Sequence, residues 1–170
     1  MLTLGNLSFS ISWETTIQFP HGLDLDLGAF MLAGDKKIPD AGRFVFYNNR
    51  YATEKALFLE EDDRTGQMGE TISLDLNRVK PDVEEIILVI SVFNGKEKGI
   101  TFGDTRNAVA ILRNIDTNTE ICRYVVNTAC PNSVGMEFGR LFYRFNRWRF
   151  ESLGVGYEDG FPYFLDKFAV

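Results

Sequence analysis

The sequence predicts an all-β fold, a two-sheet antiparallel β-sandwich with little helix, formed by residues 1–170 as one domain. Three observations predict it. Apolar and polar residues alternate with period two in several short runs. Clusters of Gly, Pro, Asn and Asp punctuate these runs at short spacing, without the strand–helix–strand rhythm of an α/β protein. Aromatic residues make up 14% of the chain, with 15 Phe, 6 Tyr and 2 Trp, a bias that favours pleated, packed surfaces over a helical bundle.

The elements follow in order. Leu7, Phe9, Ile11 and Trp13 alternate with Ser8, Ser10 and Ser12, which reads as a half-buried strand. Pro20-His21-Gly22 is a turn, and Leu23–Phe30 is the next strand. Gly34-Asp35 and Pro39–Gly42 bracket a loop. Phe44–Tyr47 is a short strand closing on Asn48-Asn49. Residues 50–70 form a long polar connection of the kind that often carries function. Ile72, Leu74 and Leu76 alternate with Ser73 and Asp75. Glu85–Phe93 is almost continuously apolar, the mark of a central strand covered on both faces. Asn94-Gly95 predicts a hairpin turn. Val109–Arg113 and Ile121–Val126 pair through Asp116–Asn118. Phe138–Phe145 and Trp148–Leu153 pair through Asn146-Arg147. Residues 161–170 form a short helix or a covering strand. The count is about eight or nine strands.

Composition narrows the function. The formal net charge of −6 disfavours attraction to nucleic acid. The two cysteines, Cys122 and Cys130, and the single histidine, His21, are too few for a disulfide scaffold or a thiolate zinc site. Residues 1–13 lack the basic start of a signal peptide, and no apolar run approaches the ~18 residues of a spanning helix. A cytoplasmic protein is expected. No nucleophile motif accompanies the lone histidine, so catalysis finds little support. A thiol-dependent oxyanion reductase would need an activated Cys122 or Cys130.

Two acidic clusters carry the chemistry. In Leu23-Asp24-Leu25-Asp26-Leu27 the leucines face one side of a strand, and Asp24 and Asp26 share the other, with alpha carbons roughly 6.5–7 Å apart. Glu60-Glu61-Asp62-Asp63 places four acids in succession. Carboxylates this close repel unless water, a basic side chain or a cation screens them. Hard cations take oxygen ligands, so calcium binding is the leading chemistry; the bland alternative is a set of solvated carboxylates. A third feature lies at Arg140, Arg144, Arg147 and Arg149, interleaved with Phe142, Tyr143, Phe145 and Trp148. It reads as a hairpin with aromatic core positions and basic outer ones. A nucleic-acid platform and a dock for an acidic partner are the alternatives.

An ordered series of motifs carries a resemblance. LDLDLGAFML from Leu23, GRFVFYNN from Gly42, DDRTG from Asp62 and ETISLDLNRV from Glu70 come first. FGDTRNAVAILRNIDTNTEICRY from Phe102 and MEFGRLFYRFNRWRFESLGVGY from Met136 follow. Together they resemble, in order over nearly the whole chain, the TerD family of bacterial tellurium-resistance and general stress proteins. The resemblance implies a β-sandwich that binds Ca²⁺, without enzymatic activity, in assemblies with other stress and tellurium-resistance proteins, including membrane-associated ones. By position it implies ligands at Asp24 and Asp26, Asn48 and Asn49, Asp62 and Asp63, and Glu70. One departure stands out. Gly66-Gln67-Met68-Gly69-Glu70 is about three residues shorter than the family's Gly- and Asp-rich loop, and lost carboxylates lower calcium affinity. The loop leaves room for one ion where relatives hold two, or for none; a metal-free interaction module is the alternative function.

Overall fold

Leu7, Phe9, Ile11 and Trp13 all turn inward along β1 (Asn6–Glu14), as the alternation predicts. The structure, a computed structural model, describes residues 3–14, 23–52, 55–60 and 68–169. Nine further strands follow β1: β2 (Leu25–Leu32), β3 (Phe44–Val45), β4 (Leu57–Leu59), β5 (Met68–Asp75), β6 (Glu85–Val92), β7 (Arg106–Asn114), β8 (Thr119–Val125), β9 (Gly135–Arg144) and β10 (Arg147–Tyr157). They form two antiparallel five-stranded sheets, ordered β4-β5-β1-β7-β8 and β10-β9-β6-β2-β3. The expected sandwich is present. The two shortest strands, β3 and β4, raise the number of strands above the expected one.

β6 is the central strand that its apolar run predicts, and the reason for its double covering is visible. Ile86, Leu88, Ile90 and Val92 enter the core between the sheets. Ile87 and Val89 face outward, into a second core with Phe30, Leu32, Ile38 and Phe44. Helix α3 lies over that outer face: α1 spans Gly95–Lys98, α2 Val126–Ala129 and α3 Phe161–Phe168. Phe161, Phe164 and Phe168 recur at helical spacing and are the buried residues of α3. Its end is held by the Ile38 amide, which donates to the Phe168 carbonyl at 2.8 Å, and by the Lys167–Glu137 ion pair. The helical alternative for the C-terminal residues is therefore the one the fold adopts.

Two turns differ from expectation. Asn94 takes the left-handed conformation at φ +50 but leads into α1. The next strand, β7, belongs to the other sheet, so no hairpin closes there. Gly95 is needed at this corner, because a Cβ would sit 2.7 Å from the Ile100 carbonyl oxygen. The β9–β10 hairpin turns at Phe145 and Asn146, both at positive φ, one residue earlier than expected. The β7–β8 hairpin forms where expected, with Asn118 at φ +53.

Candidate metal centre

Among the described residues β3 pairs only with Ala29 and Phe30 of β2, so no described strand pairs with this edge of β2 before them. A side chain from the opposite sheet fills it. Glu70 of β5 stands across from Ile11, a core residue, and so points inward. Its Oε2 accepts the Leu27 amide of β2 at 2.8 Å. One carboxylate thus ties the two sheets together and satisfies a backbone donor that would otherwise lack a partner.

Asp26 meets Glu70 at that edge. Alternation places it on the outer face of β2 with Gly28, Phe30 and Leu32, and that face is covered. Asp26 is 3% exposed, and among the described residues its Oδ2 has no hydrogen-bond partner. Asp24, one alternation earlier, is exposed. The outer face that the sequence assigns to both aspartates is real, but only Asp24 is at solvent. The cover comes from the Phe46-Tyr47 turn, the 91–95 corner and the start of α3. These segments enclose a cavity of about 200 Å³ lined by Asp26, Tyr47, Phe93 and Phe161 among others. Gly28 permits the close cover: a Cβ there would lie 2.9 Å from the Phe44 ring and 3.1 Å from the Phe161 ring.

Burial governs the electrostatics. It pushes Asp26 up to about 7, helped by the charge of Asp24 and opposed by the hydrogen bond with Glu70. Burial likewise pushes Glu70 up to about 8, against the Leu27 amide and with help from Asp26 and Asp24. Tyr47 is raised by burial and by the Asp26 charge. Without a cation, the two carboxyls titrate together and hold on to a proton well above the ordinary carboxylate range.

The other expected ligands are arranged differently. Asn49 donates from Nδ2 to the Phe44 carbonyl at 2.8 Å and to the Gly42 carbonyl at 3.4 Å. That clasps the turn after β3, as an Asn side chain commonly does. Asn48 is exposed in the same turn. Asp62 and Asp63, with Glu61, Arg64 and His21, lie outside the described residues. Glu60 accepts from Ser73 Oγ at 2.6 Å. Asp75 accepts the Asn77 amide and pairs with Arg78. Among the described residues no three His, Cys, Asp or Glu side chains converge to hold an ion. Asn49→Ala should lower stability by about 1 kcal/mol in urea titration and leave any calcium midpoint unchanged. A lost calcium response would reassign Asn49 as a ligand.

Sequence reasoning missed Tyr47 and the cavity. The signal was the aromatic run Phe44-Val45-Phe46-Tyr47 beside a strand whose outward positions, Phe30 and Leu32, are also apolar.

An antiparallel two-sheet β-sandwich with a buried pair of carboxylates, Asp26 and Glu70, near the edge of β2 is the class of protein the fold defines. The TerD domain model matches residues 2–168, and the chain belongs to this family of tellurium-resistance and general stress proteins. It is 29% identical over 161 residues to the tellurium resistance protein TerD of Alcaligenes sp, covering 93% of this chain and 84% of that one. It is 26% identical over 161 residues to general stress protein 16U of Bacillus subtilis, covering 92% and 83%. Two solved structures share the fold. SAV2460, a protein of unknown function, superposes with a TM-score of 0.81 at 18% identity, covering 99% of this chain and 100% of that one. A TerD homologue from Streptomyces coelicolor, SCO6318, superposes with a TM-score of 0.78 at 16% identity, covering 98% and 99%. Among the described residues, no helix is long and apolar enough to cross a membrane.

Proposed function

We propose that the chain is a calcium-binding stress-response protein that acts in the cytoplasm, without catalysis, as an interaction module for other stress and tellurium-resistance proteins. One observation carries the metal part: Asp26, almost fully buried, keeps an unpartnered carboxylate oxygen beside Glu70. A buried carboxylate oxygen without a partner is costly, and hard oxygen donors of this kind suit Ca²⁺. Asp26 and Glu70 would hold the ion, with Asp24 adding negative potential and Asp62 and Asp63 as the proposed further ligands. A bound Ca²⁺ would supply the positive charge that otherwise comes from the shared proton. Glu70 meanwhile keeps its bond to the Leu27 amide, so the residues that bind the ion also fix β5 against β2. The ordered edge then presents one constant surface to partners.

The thiols speak against the thiol-dependent oxyanion reductase. Burial pushes both Cys122 and Cys130 up, which leaves little reactive thiolate at neutral pH. Native mass spectrometry with and without chelator tests the reading directly: a calcium adduct of defined stoichiometry is expected, and none after chelation. A second reading, a metal-free interaction module, has the raised titration of Asp26 and Glu70 in its favour, since a proton held between them relieves their repulsion without an ion. Calorimetry that shows no heat with Ca²⁺ would select it.

A further inference from the structure

β8 and β10 end the two sheets on one side of the sandwich, where a Cβ on Gly154 of β10 would meet Tyr124 of β8 at 2.8 Å. The core is only half covered there. Ile121, Cys122 and Tyr124 of β8, and Trp148 and Phe150 of β10, pack on it without being fully buried. β10 (Arg147–Tyr157) is the longest described strand, and among the described residues only β9 pairs with it. The other strands that end a sheet offer less. β3 and β4 have two and three residues, and on β8 Glu120 and Arg123 already answer each other at 2.7 Å.

Backbone direction alternates along the outer edge of β10. The Tyr143 amide of β9 donates to the Glu84 carbonyl at 2.9 Å, away from β10. Tyr143 and Trp148 therefore stand opposite each other without mutual hydrogen bonds. By the same alternation Phe150 and Ser152, opposite Leu141 and Gly139, turn their amides and carbonyls to the open edge, as Trp148 does. Arg149 and Glu151 bond theirs to β9. Phe150 faces the core, 6.2 Å from Phe138, so the side chains of Arg149 and Glu151 take the outer face. There the Arg149 guanidinium lies 5.4 Å from the centre of the Phe145 ring and has no carboxylate partner among the described residues. Glu151 reaches Arg140 at 3.4 Å, yet its side chain is 53% exposed. Past Ser152 the register shifts and Gly154 lies at φ +66, so the regular edge runs from Arg147 to Ser152.

We propose that two copies of this chain join edge to edge through β10, antiparallel about a twofold axis at Phe150. Phe150 then exchanges backbone hydrogen bonds with Phe150 of the second copy, and Trp148 with Ser152 of the second copy. Arg149 of each copy stands opposite Glu151 of the other, in the pairs without hydrogen bonds, where side chains come closest. Charge selects this register. An axis at Arg149 or at Glu151 sets two like charges against each other, and one at Trp148 sets Arg147 against Arg149; like charges directly opposite are destabilising. Charged side chains and a bulge ordinarily keep an edge strand from joining others. Arg149 and Glu151 keep that protection against a foreign strand and lift it for a second copy, because their order along β10 is self-complementary. The joined edge also gives cover to the half-buried Trp148 and Phe150.

Sedimentation of the full chain in chelator tests this independently of the calcium reading. A monomer–dimer equilibrium between micromolar and millimolar protein is expected, weakened by salt. Arg149→Glu and Glu151→Arg should each weaken the dimer about tenfold or more, because each sets like charges together. An equimolar mixture of the two variants should restore it, since each then meets the opposite charge at both positions. Hydrogen exchange reads the same interface without any variant. The amides of Trp148, Phe150 and Ser152 should exchange more slowly as the protein is concentrated, while those of Arg149 and Glu151 are protected throughout. A chain that stays monomeric over this range, or a dimer that both charge reversals leave intact, would overturn the proposal. So would a mixture of the folded variants that stays monomeric, or exchange at Trp148, Phe150 and Ser152 that is independent of concentration.

Discussion

Asp26→Asn should raise the melting temperature of the chelated protein at pH 8 and abolish the further rise that calcium gives the parent. The two effects have one cause. Asp26 is buried with one oxygen unpartnered and is pushed up to about 7, so at pH 8 the metal-free fold holds a charge it disfavours. Asn keeps the shape and removes the charge, and Glu70 can accept a hydrogen bond from its amide. Moving one carboxyl from 3.8 to about 7 is worth at most about 4 kcal/mol. Coupling to Glu70 shares that between two groups. A gain of about 2 kcal/mol, or about 4–8 °C for a chain of this size, is expected. The parent should gain about 2.7 kcal/mol from calcium at a hundredfold excess over Kd; the variant, with one anionic ligand fewer at the centre, should gain almost nothing. Equal calcium shifts in the two proteins would place the ion elsewhere. A large loss of stability in the variant would mean that Asp26 is charged and paired in the native state.

The same residues show what a sequence can carry. Period-two alternation identified β1 correctly, because Leu7, Phe9, Ile11 and Trp13 need only one covered face to declare their orientation. The apolar run of β6 announced a strand covered twice, and α3 supplies the second cover. Asp26 was legible as a face but not as an environment. Alternation says which side a residue takes and is silent about what lies over that side. Phe30 and Leu32, two and three alternations further along β2, and the aromatic run Phe44–Tyr47 were the hints that the outer face was closed. The meeting of Asp26 and Glu70 depends on β3 being too short to pair with the start of β2, and strand length is among the features local pattern reads worst. Asn94-Gly95 failed differently. Its left-handed Asn is present, but a turn signal does not say which sheet the chain enters next. Phe145 was missed as a turn residue because its backbone contradicts its side-chain type.

With chelator present, stability should fall as pH rises from about 4.5 to about 8. Asp26 and Glu70 are both raised in the folded protein, from 3.8 to about 7 and from 4.5 to about 8. Across that window the native state therefore binds more protons than the unfolded chain, and the slope of unfolding free energy with pH is negative. The penalty is absent below the unfolded values and complete above the folded ones. For about one shared proton the span is up to about 4 kcal/mol. Asp116 and Glu120 act in the opposite sense, held down by the Asn6 amides and by Arg123 respectively, but their effect appears only as pH falls toward and below the ordinary carboxylate range. Calcium should change the profile in a specific way. Asp26 and Glu70 must release their proton to accept the ion, so the calcium-induced gain should be largest near pH 8 and vanish toward pH 5. Urea unfolding at several pH values, with chelator and with calcium, measures both curves. Chelated stability that is flat or rises between pH 5 and 8 would remove the protonated pair. With it would go the argument that a cation is what the open edge of β2 lacks.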